Sequence, residues 1–249
     1  MDKLYIIMPA YNEEGAIEKT VGDWYPIIER HNGNGGSRLI IFNDGSKDRT
    51  SEIGKELMKK YPLMQMIDKK NSGHGATLLT GYKYALKNGA DYVFQTDSDG
   101  QTDPGEFETF WENREKYGAV IGHRNNRKDG FSRFIVTKVL KLVLWIFFGI
   151  SVTDANTPYR LMRRELLEKY IPQIPKGFFL SNVMLTVLFV FNDEKVLFVP
   201  VSFGERKTGV NSINIKRIAG IGLKAVFDFW ILGSKMKKNK KQKQQDGNN

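Results

Sequence analysis

The chain has 249 residues, enough for one α/β domain with a substantial core. Its 41% hydrophobic and 12% aromatic content marks it as globular. It contains no cysteine, which excludes disulfides, zinc–thiolate sites and a cysteine nucleophile. The net charge is +10, and half of it sits in residues 235–249, which hold six lysines and one aspartate. Such a run reads as a solvated, disordered tail or as an attraction to anionic lipid, where each basic residue contributes about 1 kcal/mol near the surface. No aromatic residues are interleaved in it, which argues against a nucleic-acid partner. No secretory signal is expected, because residues 3–8 form a short apolar strand ending in Pro9 without a small-residue cleavage site. The longest apolar run, 142–150, is well short of the roughly 20 residues that a membrane-spanning helix needs.

In chain order, the pattern predicts a strand over 4–8, a helix over 14–29, a strand over 38–42 and a helix over 46–61. Asp48 is placed to favour the positive end of that second helix. A strand over 63–67, a helix over 76–87 and a strand over 92–95 follow. Strands alternating with helices predict βαβ units and a mostly parallel sheet. The second half changes character. A long helix over 131–150 becomes almost wholly apolar, another covers 179–191, and residues 195–201 read as a strand. A last amphipathic pattern over 213–232 ends in Phe227, Phe229 and Trp230 beside the lysines. Buried core explains such stripes, and so does a membrane interface, where aromatic rings sit at headgroup level.

Ligands of parallel sheets bind beyond the carboxyl ends of the strands. There the chain places three polar loops: Pro9-Ala10-Tyr11-Asn12-Glu13-Glu14, Asn43-Asp44-Gly45-Ser46 and Thr96-Asp97-Ser98-Asp99-Gly100-Gln101. Any one of them could be only a turn and cap. In the third, an extended chain turns Asp97, Asp99 and Gln101 to one side. Two carboxylates and an amide oxygen suit Mg²⁺ or Mn²⁺, which neutralises the charge that grows on a diphosphate leaving group.

With these motifs, and with Asn71-Ser72-Gly73-His74-Gly75-Ala76 and Gly122-His123-Arg124, the sequence resembles family-2 glycosyltransferases of the GT-A fold over residues 3–232. The branch it is most similar to includes dolichyl-phosphate mannose synthase and bacterial polyprenyl-phosphate glycosyltransferases. The resemblance implies a Rossmann-like α/β fold with a helical elaboration on the acceptor side. It divides a catalytic domain, 1–234, into a nucleotide-sugar half (1–122) and an acceptor half (123–234), with a basic tail over 235–249. It implies that Pro9, Tyr11, Glu13 and Asp44 hold the nucleoside of a UDP- or GDP-sugar, with Tyr11 able to stack on the base. Gly73 and Gly75 would allow close backbone approach, or simply turn the chain into a helix. Asp97, Asp99 and Gln101 would bind the metal. His74, between the two glycines, receives no role.

On the acceptor side, Arg124, Arg133 and Arg206 match positions where the lipid-phosphate branch gathers positive charge, and Lys207 could be a fourth partner. Guanidinium groups pair bidentately with phosphate. A phosphate monoester, with its second pKa near 6, is mostly ionised at pH 7 and needs no base to attack. Asp154 is the best remaining carboxylate, as acceptor orienter, base or plain turn residue. Thr157-Pro158-Tyr159 departs from the Cys-Gly-Phe-like stretch of relatives, which puts the backbone around Asp154 in question. The resemblance thus implies inverting transfer to a polyprenyl phosphate by a peripheral enzyme on the cytoplasmic membrane face, alone or with a separate membrane-protein partner. The alternatives are transfer to a hydroxyl of a glycan or glycerolipid, and a non-catalytic binding subunit.

Overall fold

The computed structural model describes residues 2–33, 35–124, 131–175, 177–205, 226–238 and 242, with only the backbone course given for 131–137. Seven strands form one sheet in the order β3-β2-β1-β4-β6-β5-β7. They are β1 (Leu4–Ala10), β2 (Arg38–Asn43), β3 (Met64–Asp68), β4 (Tyr92–Gln95), β5 (Ala119–Arg124), β6 (Arg160–Arg163) and β7 (Val196–Val201). The first four are mutually parallel, as expected. Strand β6 runs antiparallel to both β4 and β5, and β7 is parallel to β5.

Strands β1, β2 and β4 are covered on both faces, which is why they read as unbroken apolar runs rather than as an alternation. On one face lie α1 (Ile17–Arg30), α2 (Thr50–Lys60) and the short α4 (Phe107–Glu112). Their core packs Trp24, Phe94, Phe107 and Tyr159 ring against ring. On the other face lie α3 (His74–Lys87), α5 (Phe131–Phe148), α6 (Arg164–Tyr170) and α7 (Ser181–Phe191), around a second core containing Tyr82, Met162, Phe178 and Leu188. Helix α8, residues 226–238, joins this core through Phe229, which packs on Phe148 and Phe178 at ring distances of 5.8 and 5.6 Å.

Several boundaries differ from the sequence expectation for identifiable reasons. Helix α2 starts at Thr50 rather than 46, because Ser46 N–H donates to Asn43 Oδ1 and Lys47 N–H to Asn12 Oδ1, holding 46–48 as a loop. Asp48 does serve the helix start, its Oδ1 accepting from Thr50 N–H at 3.0 Å. Helix α8 continues past 235, where the tail was expected to begin. Its residues pack against α5: Lys237 Nζ lies 3.4 Å from Ile146 O, and Gly233 abuts the Phe147 carbonyl. Strands β5 and β6 were not foreseen, and β6 inserts residues of the second half between β4 and β5, so one sheet runs through both halves.

Candidate active site

Because β6 opposes β4 and β5, the loop entering β6 lies at the edge where β1, β2, β4, β5 and β7 all end. Topology alone therefore brings the strand ends at residues 10, 43, 95, 124 and 201 to the same edge as Asp154.

The loops after β1 and β2 are laced together. Asn12 adopts φ +56°, its N–H donates to Ser46 Oγ at 2.9 Å, and Glu13 N–H donates to Thr50 Oγ1 at 2.8 Å. Glu13 is buried and Pro9 half-buried, while Tyr11 is 44% exposed, its ring open for stacking. Asp44 is nearly inaccessible. Its carboxylate accepts from Lys69 Nζ, from Ser72 N–H at 2.9 Å and from Gly73 N–H at 2.9 Å. Burial alone would raise the Asp44 pKa, but the Lys69 and Ser72 hydrogen bonds outweigh it and hold the carboxyl below its ordinary value. Asp44 thus fixes the 69–73 loop, and any contact with a nucleoside has to add to these bonds or displace one.

Gly75 is packed closely by the fold itself. A Cβ there would lie 2.2 Å from Phe179 O and 2.7 Å from Phe178 O, and Ser181 Oγ donates to Gly75 O at 2.9 Å. The space its missing side chain leaves is taken up by the 178–179 loop. Gly73, at φ +86° with nothing within 4 Å of a Cβ, borders open space.

Beyond β4, Asp97 and Asp99 are half-buried while Ser98 between them is buried, its Oγ donating to Pro9 O at 2.8 Å and its carbonyl accepting from Thr20 Oγ1 at 3.2 Å. Residue exposure thus alternates along the segment, although Asp97 Oδ1 itself is buried and the chain bends at 98–100. Asp99 Oδ1 also accepts from Gln101 N–H at 3.1 Å. Gln101 is tied to the strand-end loop after β7. Its Nε2 donates to Gly204 O at 2.8 Å, and its backbone carbonyl accepts from Gly204 N–H at 2.7 Å. Two carboxylates and an amide oxygen on so braced a segment fit a hard divalent cation. Among the described residues no group of three or more His, Cys, Asp or Glu gathers to form a softer or all-carboxylate cage.

Arg124, the last residue of β5, stacks its guanidinium 4.6 Å from the Phe203 ring centre and places Nε 4.0 Å from Asp154 Oδ2. Asp154 is buried, with Oδ1 accepting from Asn156 N–H at 3.1 Å. Arg133 falls on α5 with its side chain outside the described residues, and Arg206 and Lys207 lie outside them altogether. Of the expected arginine cluster, the structure therefore positions Arg124 alone. Pro158 and Tyr159, which replace the expected pattern, are buried; Tyr159 fills the first core and its hydroxyl donates to Asp103 O at 2.9 Å.

Two residues here escaped the sequence reading. Lys69 directly follows β3 at the same sheet edge, a position that could have marked it. Arg160 is wholly buried under the site, donating to Thr157 O, Ala155 O, Asn182 O and Thr186 Oγ1. Burial lowers its pKa, opposed by the nearby Tyr82, Asp154 and Asp97. It stands as a cation behind both acidic segments.

A mostly parallel sheet with a braced Asp-Ser-Asp beyond β4 is the frame of a metal-dependent GT-A glycosyltransferase. The sequence matches the Glycosyl transferase family 2 profile over residues 5–171. It is 26% identical over 219 residues to the polyprenol monophosphomannose synthase of Mycolicibacterium smegmatis, covering 84% of this chain and 80% of that one. It is 29% identical over 196 residues to the UDP-N-acetylglucosamine–dolichyl-phosphate N-acetylglucosaminyltransferase of Methanococcus voltae, covering 70% and 74% of the two chains. In fold it is similar to glucosyl-3-phosphoglycerate synthase from Mycobacterium tuberculosis, with a TM-score of 0.66 at 16% identity, covering 93% of this chain and 80% of the other. The chain belongs to glycosyl transferase family 2.

Proposed function

We propose that the chain transfers a sugar from a nucleoside-diphosphate sugar to a polyprenyl phosphate at a membrane surface. The observation that carries this reading is Arg124. Its guanidinium, held over Phe203 beside Asp154, stands at the same sheet edge as Asp97 and Asp99. A basic group and an acidic pair on one sheet edge suit two phosphates on either side of one anomeric carbon. The relatives named for dolichyl-phosphate and polyprenol acceptors support the same class of substrate.

In this reading Tyr11 stacks on the base, with Glu13 and the Asp44 loop around the ribose. Asp97, Asp99 and Gln101 would hold a divalent cation, which supplies charge neutralisation to the departing diphosphate. Solved complexes of the similar fold contain Mn²⁺ with UDP-glucose, which supports a divalent metal and leaves the choice between Mg²⁺ and Mn²⁺ to experiment. Arg124 binds the acceptor phosphate. An ionised phosphate oxygen attacks the anomeric carbon as the bond to the diphosphate oxygen breaks, with inversion as in the family. No proton has to be removed. Asp154, engaged by Arg124 and the Asn156 amide, orients the guanidinium.

A hydroxyl acceptor would instead require Asp154 as base. Steady-state kinetics of Arg124→Ala separates the two. A rise in acceptor KM with donor affinity unchanged supports phosphate recognition, and unchanged acceptor kinetics removes it.

A further inference from the structure

The two helices that close the second core leave an apolar surface open. On α5, Val139, Leu142 and Ile146 follow one another at helical spacing and are all more than half exposed, and Trp145 beside them is 63% exposed. On α8, Phe227, Trp230 and Ile231 are likewise exposed, with the Phe227 and Trp230 rings 5.9 Å apart. The helices meet where Gly233 abuts Phe147 O and Lys237 reaches Ile146 O, so the two stripes adjoin. Phe229, expected among the outward aromatics, is instead buried in the core, and α5 supplies much of the exposed surface in its place.

Cations border this face. Lys138 and Lys141 are exposed on α5, as are Lys235, Lys237 and Lys238 on α8. Asp228 is the one acidic residue in the sequences of the two helices. Contiguous exposed apolar surface of this kind marks an interaction site. Its charge selects the occupant. In a contact between two copies the lysines would oppose one another, whereas anionic headgroups complement them. No helix of the described residues is long and apolar enough to cross a membrane. An amphipathic pair with aromatic and aliphatic residues on one side and lysines at the margin is built to lie on a bilayer.

We propose that α5 and α8 together form a docking face for an anionic phospholipid bilayer, with Trp145, Leu142 and Ile146 entering the headgroup–acyl boundary and the lysines holding the anionic headgroups. The proposal deepens the acceptor reading, since α5 follows β5, whose last residue is Arg124. Docking would bring the acceptor's phosphate to that edge.

The test is co-sedimentation of the full chain with phosphatidylcholine vesicles, with and without phosphatidylglycerol, for wild type and the double variant Leu142→Glu, Ile146→Glu. Both positions are exposed, and circular dichroism checks that the fold persists. Wild type is expected to bind the anionic vesicles, less at high salt, and to blue-shift the emission component that Trp145→Phe removes. The double variant is expected to bind at least about tenfold more weakly, from the loss of two buried aliphatic groups. Equal binding by the variant overturns the proposal. So does wild-type self-association without lipid that the variant abolishes. Transfer to a water-soluble short-chain isoprenyl phosphate is expected to be unchanged in the variant. Loss of that transfer in wild type, with vesicle binding intact, would overturn the acceptor reading alone.

Discussion

Arg124 and Asp154 face each other across the end of the sheet, with Nε 4.0 Å from Oδ2, one at the close of β5 and the other in the loop that enters β6. They are thirty positions apart in the chain and adjacent only because β6 turns back between β4 and β5. If Arg124 grips the acceptor phosphate, Arg124→Ala raises acceptor KM about 10- to 100-fold, the worth of one or two charged hydrogen bonds. Donor affinity stays within about twofold in calorimetric titration. Asp154 gives the complementary result. As an orienter, Asp154→Asn lowers kcat by about tenfold and leaves the pH profile in place. A loss of about a hundredfold or more, with the acid limb of the profile gone, would make it the base.

The Asp44 loop predicts an acid-sensitive contribution to stability. Burial pushes the Asp44 carboxyl up, but Lys69 and the Ser72 amide pull it further down, to a net value below the ordinary one. Asp68, held first by Asn43 and then by Lys55, is lowered to about 2. A carboxyl with a depressed folded pKa contributes stability above its unfolded value near 4 and loses it as pH falls through the folded value. Chemical denaturation should therefore show stability falling between about pH 4 and about pH 2. Asp44→Asn should destabilise by about 1–3 kcal/mol at neutral pH. That difference from wild type should shrink below about pH 4.

Gly75→Ala tests whether this glycine serves the donor or the fold. Its Cβ would meet Phe179 O at 2.2 Å, and overpacking of this kind costs about 1–3 kcal/mol. A Tm lowered by about 2–4 °C for each of those kcal/mol is expected for a chain of this size. Nucleotide affinity measured below that Tm should be close to wild type. A large loss of affinity with unchanged Tm would assign Gly75 to the donor site.

What the sequence made legible, and what it hid, follows from range. Strands β1, β2 and β4 are buried on both faces, so their apolar runs announced them, and the polar loops at their ends marked the edge where these strands finish. The alternation of Asp97, Ser98 and Asp99 was readable because it is local. Strand β6 was not, because its four residues begin and end in arginine, and the burial of Arg160 depends on α7 and on the 155–157 turn. Lys69 and Asp44 are paired across two loops that no periodicity connects. The aromatic residues of α8 were recognised as a group. Their division into buried Phe229 and exposed Phe227 and Trp230 is set by where the helix meets Phe148 and Phe178.

The most direct test of the central claim is transfer from labelled UDP- and GDP-sugars, with Mn²⁺ or Mg²⁺, to a polyprenyl phosphate and to the matching polyprenol lacking the phosphate. Wild type, Asp99→Asn and Arg124→Ala are compared in parallel. The account predicts a labelled, metal-dependent product from the phosphate acceptor only, abolished in Asp99→Asn and recovered in Arg124→Ala only at raised acceptor concentration. Labelling of the polyprenol, or of a glycerolipid, with none on the phosphate would contradict it.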